Sequence, residues 1–286
     1  MEGFITAIRA ELFVALRCNS SRVTVFLPAL IVLAQLTLTR LREVGELARE
    51  ALLNESSFSP NAPDSTAYGY FVDGLSTGLT ILVLILVALA AYSFAYDRDT
   101  GLVRHLLIRR ISRPALLLAK LVQLHIVAMV ALVLLFALSW FCSGLFWEFG
   151  AVVEDGFELI GEAEIRSEIW LGTKLALLPF PAAIAFGLLI SVVAQSTTQA
   201  VTTALGITLA IDIFKSTLGD FSHYIFASFQ PSLIDQSYLQ DVSRLVRGYS
   251  DVLIDDRVLL LNTWIPIPQM LLLAAIAVVL VRRKKV

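Results

Sequence analysis

The sequence predicts an all-α integral membrane protein with six transmembrane helices, and three observations carry that prediction. Hydrophobic residues make up 57% of the 286 residues, charged residues only 16%, and the mean hydropathy is +0.79; water-soluble domains do not usually reach such values. Six apolar runs are each about 20 residues long, the length that takes a helix rising about 1.5 Å per residue across a hydrocarbon core about 30 Å thick. Basic residues gather in some connecting segments and acidic residues in others, as membrane proteins sort charge by side. The formal net charge of -2 hides that sorting.

Residues 1–22 precede the first span. Phe4, Ile5, Ile8, Leu12 and Leu16 recur every three or four positions, with Glu2, Arg9, Glu11 and Arg17 between them. That pattern predicts an amphipathic elbow helix lying on the membrane surface. We read no removable signal peptide, because no compact apolar core runs into a small-residue cleavage site. The spans follow at 23–41, 75–96, 115–141, 169–195, 200–218 and 263–281.

Segment 97–113, between spans two and three, holds Arg98, Arg104, Arg109, Arg110 and Arg113, with Lys120 just inside span three. The tail 282–286 holds Arg282, Arg283, Lys284 and Lys285. Clustered positive charge beside a span marks the cytoplasmic side, so both segments and both termini are expected there. The segments with Glu43, Glu46, Glu50, Glu55, Asp64 and Asp73, and with Glu148, Glu154, Asp155, Glu158, Glu162, Glu164 and Glu168, are then external. Arg40 and Arg42 oppose this rule at the outer end of span one, where long stems let their charges snorkel to the headgroups. The polar break at 195–199 reads as a tight cytoplasmic turn. Beyond span five, Ile234, Tyr238, Val242, Leu245, Tyr249 and Leu253 form a helical stripe, so 219–262 is expected to be an external helical element on the outer mouth. No fixed-period repeat divides the chain, and 1–286 reads as a single transmembrane domain.

The motifs of soluble catalysis are missing from the sequence. It contains no Gly-x4-Gly-Lys-Ser/Thr loop for phosphates, no His-Glu-x-x-His helix and no Gly-x-Ser-x-Gly turn. We therefore expect no catalytic residue, no metal ligand set and no cofactor in this chain. Cys18 precedes the first span and Cys142 sits near the far end of the third, which argues against a bridge between them.

Ionisable side chains inside a bilayer are costly and are functional suspects for that reason. Asp212 and Lys215, three residues apart on one face of span five, together with Gln35 in span one, are the candidate translocation-path residues; a purely structural ion pair is the alternative for the first two. The glycines of the 74–78 stretch have spacing suited to close helix packing, within the chain or across a dimer.

The stretch Asp97-Arg98-Asp99-Thr100-Gly101-Leu102-Val103-Arg104-His105-Leu106-Leu107, with Ile111-Ser112-Arg113 and Lys120 after it, resembles the permease subunits of ABC (ATP-binding cassette) transporters of type 2. In that family an acidic pair precedes a glycine, a short helix with paired leucines follows, and a lysine opens the third span. Asp97 stands where the family usually has Glu, Arg110 where it has proline, and Ala119 where it has glycine. The elbow helix, six spans, external element and basic tail also fit the family layout.

The resemblance implies two permease subunits, identical or similar, clamped on two cytosolic ATPase subunits that bind ATP and Mg. It makes the short helix after Gly101 a coupling helix, with Asp97, Asp99, Gly101, Leu102, Val103, Arg104, Leu106, Leu107, Arg109 and Arg110 as its coupling residues. It also implies export, a bacterial inner (plasma) membrane location and room for periplasmic or membrane accessory proteins, with no role for nucleic acid. The alternative is a membrane scaffold or sensor whose basic loop recruits a cytosolic partner without transport. A secondary transporter ranks third, since broken helices and internal repeats are not evident in the sequence.

Overall fold

Long apolar helices dominate the computed structural model, which describes residues 2–53, 66–102, 111–154, 157–232, 238–247 and 256–283. In chain order these are α1 (Glu2–Arg17), α2 (Asn19–Leu53), α3 (Ala67–Asp99), α4 (Arg113–Phe146), strands β1 (Val152–Glu154) and β2 (Phe157–Ile160), α5 (Glu162–Leu177), α6 (Phe180–Val193) and α7 (Thr197–Leu218). Two 3-10 turns (Gly219–Tyr224 and Phe226–Phe229), α8 (Tyr238–Val246), α9 (Asp256–Trp264) and α10 (Pro266–Arg283) follow. Among the described residues, six stretches are long and apolar enough to cross a membrane: Asn19–Arg49, Ala67–Asp99, Arg113–Phe146, Glu162–Val193, Thr197–Lys215 and Asp256–Arg283. This is the layout of a multi-pass membrane protein.

The helices overrun the apolar runs that announced them. At 35 residues α2 is about 52 Å long at 1.5 Å per residue, about 20 Å more than the hydrocarbon core. Glu43 and Glu46 therefore stand on a continuing helix and not in a loop. Span four is not one helix. Pro179 and Pro181 each lack an N–H and restrict the residue before them, so α5 ends at Leu177 and α6 begins at Phe180. Pro266 separates α9 from α10 in the same way.

The chain is also not purely α-helical. Between α4 and α5, β1 and β2 pair antiparallel, Val153 opposite Glu158 and Glu154 opposite Phe157, with a bulge between Val152 and Val153. Strands of three and four residues with acidic members leave too little alternation to be read from sequence.

The third helix is the axis of the fold, packed against α2, α4, α6, α7 and α8. Its most apolar window is 61% buried, against 17% for α7 and 17% for the α9–α10 stretch. Glycines let the neighbours come close. A Cβ on Gly78 would lie 2.4 Å from Leu135 Cδ1 and 2.9 Å from Val32 Cγ2, and one on Gly74 3.0 Å from Val32 Cγ1. The small residues at 74–78 thus serve packing onto α2 and α4 of the same chain. Gly187 of α6 does the same against Ala90 and the Val87 carbonyl of α3.

Candidate functional site

The last turn of α3 carries three consecutive charged residues, and each is tied to a different part of the chain. Asp97 Oδ2 lies 2.6 Å from Lys120 Nζ, and Lys120 Nζ lies 3.1 Å from Glu11 Oε2, so α1, α3 and α4 share one ammonium group. Lys120 is 4% exposed. Burial raises the Glu11 carboxyl above the ordinary carboxylate range even though Lys120 pulls the other way.

Arg98 Nη1 donates to the Ala194 carbonyl at 2.6 Å, just past the end of α6. Asp99 Oδ2 accepts from the Thr197 N–H at 2.7 Å and from Thr197 Oγ1 at 2.6 Å. A carboxylate on the first residues of α7 satisfies an orphan N–H and complements the positive end of the helix dipole. One turn earlier, the buried Ser191 Oγ of α6 accepts from the Ala95 N–H at 2.8 Å.

After this hub the helix stops. Gly101 takes φ +77°, a left-handed conformation that ends α3, with its N–H donating to the Arg98 carbonyl at 3.1 Å. It stands between the end of α3 and Leu102, where the backbone is helical again. Leu102 follows, exposed. Val103, Arg104, Leu106, Leu107, Arg109 and Arg110 lie outside the described residues. The chain resumes at Ile111, and Ser112 caps α4 by accepting from the Ala115 N–H at 3.3 Å, with Pro114 in the first turn.

Of the expected coupling residues, Asp97 and Asp99 point their carboxylates into the chain. Glu11, Ser191 and Thr197 join them without having been singled out in the sequence. The reading of α1 placed Glu11 on its polar face. Instead Ala7, Glu11 and Ala15, spaced by four, form the face turned to α4, while Ile5, Phe13 and Leu16 are exposed. A glutamate between alanines at i±4, with a lysine inside a later span, was the available signal.

The opposite end of the bundle is also fastened to α3. Tyr68 OH donates to Glu162 Oε1 at 2.6 Å, and Arg166 Nε donates to Tyr68 OH at 2.9 Å, fixing α5. Tyr70 OH and Trp147 Nε1 both donate to Glu43, the latter at 2.8 Å, joining α3 and the end of α4 to α2. Asp73 accepts from Ser243 and Arg247, which latches α8 onto α3. In α8, Leu239, Val242 and Val246 are buried; of the expected stripe only Val242 is on that face, Leu245 is half-buried, and Ile234, Tyr249 and Leu253 lie outside the described residues.

The candidate path residues are not brought together. Asp212 Oδ1 and Lys215 Nζ pair at 3.2 Å with both side chains largely buried. Asp212 lines a small cavity with Thr80 of α3, Thr208 and Gln230. Gln35 is elsewhere, on α2, its Oε1 buried without a hydrogen-bond partner among the described residues.

Comparison with known proteins gives one result. No curated protein and no solved structure matches the chain. A protein family described as a protein of unknown function (DUF2705) matches residues 45–229, more than half of the chain. The matched stretch runs from the last turns of α2 through the 3-10 turns after α7, and so contains Asp97, Arg98, Asp99, Lys120, Ser191 and Thr197. With its central helix and nearly the whole hub inside that match, the chain belongs to the DUF2705 family.

Proposed function

We propose that this chain is the permease subunit of an ATP-driven ABC transporter of type 2, working as an exporter with separate cytosolic ATPase subunits. The observation that supports this most is the convergence of α1, α4, α6 and α7 on Asp97, Arg98 and Asp99, a few residues before the segment that resembles a coupling helix. Charge-assisted hydrogen bonds and buried pairs hold their geometry tightly. A push on 102–110 then moves α3 and α4 together, and with them the helices clamped to the hub. Rigid-body switching of a bundle needs such a stiff lever. The hub faces the cytoplasm in this reading, and the Glu43 and Asp73 latches face outward.

A second copy, or a similar chain, completes the path. On α7 the exposed residues include Thr202, Thr203, Gly206 and Ala210. Small and hydroxylated residues on a lipid-facing helix suit close approach of another transmembrane helix. ATP and Mg belong to the ATPase subunits, and the membrane is the bacterial inner membrane.

Pull-down of the tagged chain from native membranes is expected to recover a nucleotide-hydrolysing subunit. Replacing Leu106 and Leu107 with Asp is expected to release that subunit while the chain stays membrane-inserted. A recovered partner without nucleotide-binding motifs favours the scaffold reading, and unchanged recovery by the double variant removes the docking role.

A further inference from the structure

We propose that the cleft at the end of the bundle opposite the hub binds an organic ammonium cation, one that keeps N–H donors. The cleft has a volume of about 450 Å³ and is walled by Glu43, Thr66, Tyr70, Trp147, Glu148 and Phe149. That size lies within the ~300–1,000 Å³ of small-molecule sites. Its walls combine two carboxylates with three aromatic rings.

The charges do not cancel. Glu43 is committed, since it accepts from Tyr70 and Trp147 and pairs with Arg40 at 3.4 Å. Asp73 and Arg247, nearby on α3 and just past α8, neutralise each other. Glu148 uses its backbone carbonyl to accept from the Ala67 N–H at 3.0 Å. Its exposed carboxylate has no hydrogen bond or ion pair among the described residues. One uncompensated negative charge therefore stands on the rim.

The rings already receive cations. Tyr70 and Trp147 stack at 3.9 Å between centroids, with the Arg40 guanidinium 5.9 Å from the Trp147 ring and that of Arg247 5.8 Å from Tyr70. Such distances fall within the range of cation–π attraction. These two arginines take up the stacked pair and Phe149 stacks on Trp140 at 4.4 Å between centroids, which leaves the Glu148 carboxylate as the group for an added cation. A third group points to a ligand with N–H donors: Thr66 Oγ1, on the cleft wall, is sealed from solvent and has no hydrogen-bond partner among the described residues.

Other ligand classes fit less well. A hard metal ion wants about six oxygen ligands, and the cleft offers one free carboxylate among aromatic walls. An anion meets the Glu148 charge. A quaternary ammonium has no N–H for Glu148 or Thr66. The inference goes beyond the permease reading and holds whether or not the chain transports anything.

The test uses the full chain in nanodiscs of zwitterionic lipid, titrated with benzylammonium, benzyl alcohol and tetramethylammonium by ligand-observed NMR, with empty discs subtracted. Benzylammonium is expected to saturate and to bind at least about tenfold tighter than its neutral isostere, since each tenfold corresponds to ~1.4 kcal/mol. Glu148→Gln keeps the backbone bond and is expected to remove most of that preference without moving the unfolding midpoint. Equal binding of benzylammonium and benzyl alcohol, an unaffected Glu148→Gln variant, or tetramethylammonium binding as tightly as benzylammonium would each overturn the proposal.

Discussion

Lys120 shows how much one side chain can hold together in this protein. Its ammonium group is shared by a carboxylate from α1 and one from α3, in surroundings that leave it 4% exposed. A buried ion pair is weak evidence of net stability, because desolvation offsets attraction. Breaking one is different, since the remaining charges have no partner. Lys120→Met leaves Glu11 and Asp97 facing one another, and we expect a loss of about 3–5 kcal/mol. It is read as a lowered thermal unfolding midpoint in lipid discs. Adding Glu11→Gln and Asp97→Asn removes both stranded charges and is expected to recover most of the loss. A single variant as stable as the parent would mean that the triad does not fasten α1. Two members of this triad were visible in the sequence, as an acidic residue before the glycine and a lysine inside a span. Glu11 stood out only as a polar-face residue of α1, because it pairs across 109 positions and periodicity reports only neighbours on one helix.

At the scale of elements, apolar length and charge flanks located the six crossings, since both report directly on the cost of burying polar groups in hydrocarbon. They did not report where a helix ends beyond the bilayer, so α2 and α3 proved longer than their apolar runs. The breaks at Pro179 and Pro266 were legible in principle, because proline removes a backbone donor wherever it falls. Apolar residues on both sides masked them. The close crossings were half legible: the glycines could be seen, but not which helix each one admits. Gly187 and Gly206 separate these cases. A Cβ at Gly187 would sit 2.7 Å from the Val87 carbonyl oxygen and 2.7 Å from Ala90 Cβ, whereas at Gly206 nothing lies within 4 Å. Backbone atoms of α3 cannot swing aside, so Gly187→Ala is expected to cost about 1–3 kcal/mol by overpacking. Gly206→Ala should hold or slightly raise the stability of the single chain through the better helix propensity of alanine, and would weaken only a close approach by a second copy. Unfolding midpoints of the two variants in the same lipid decide this, and equal midpoints would mean that α3 and α6 do not cross at this distance.

Across the whole molecule, the two ends differ in charge and in how that charge is used. Leu117, Leu118 and Leu121 of α4 meet Ala274, Ala277 and Val278 of α10, which brings Arg282 and Arg283 to the same end as the hub and Arg113. At the other end Gln269 holds the 3-10 turns by donating to the Tyr224 carbonyl and accepting from the Phe226 N–H. Basic residues occur there too, but Arg40, Arg42, Arg166 and Arg247 are each paired with a carboxylate. The two arginines that opposed the positive-inside rule in the sequence thus carry their own counter-charges. We expect the hub end, with Arg113, Arg282 and Arg283, to carry the cationic excess that keeps a segment in the cytoplasm. Single cysteines test that orientation in a background with Cys18 and Cys142 replaced. Leu102 and Glu158 are both exposed, one beyond the hub and one on β2. In intact spheroplasts a membrane-impermeant maleimide is expected to label Glu158→Cys and to spare Leu102→Cys until the membrane is opened. The reverse pattern would place Asp97, Arg98 and Asp99 on the face that cytosolic ATP never reaches, and no ATPase-driven lever can operate there.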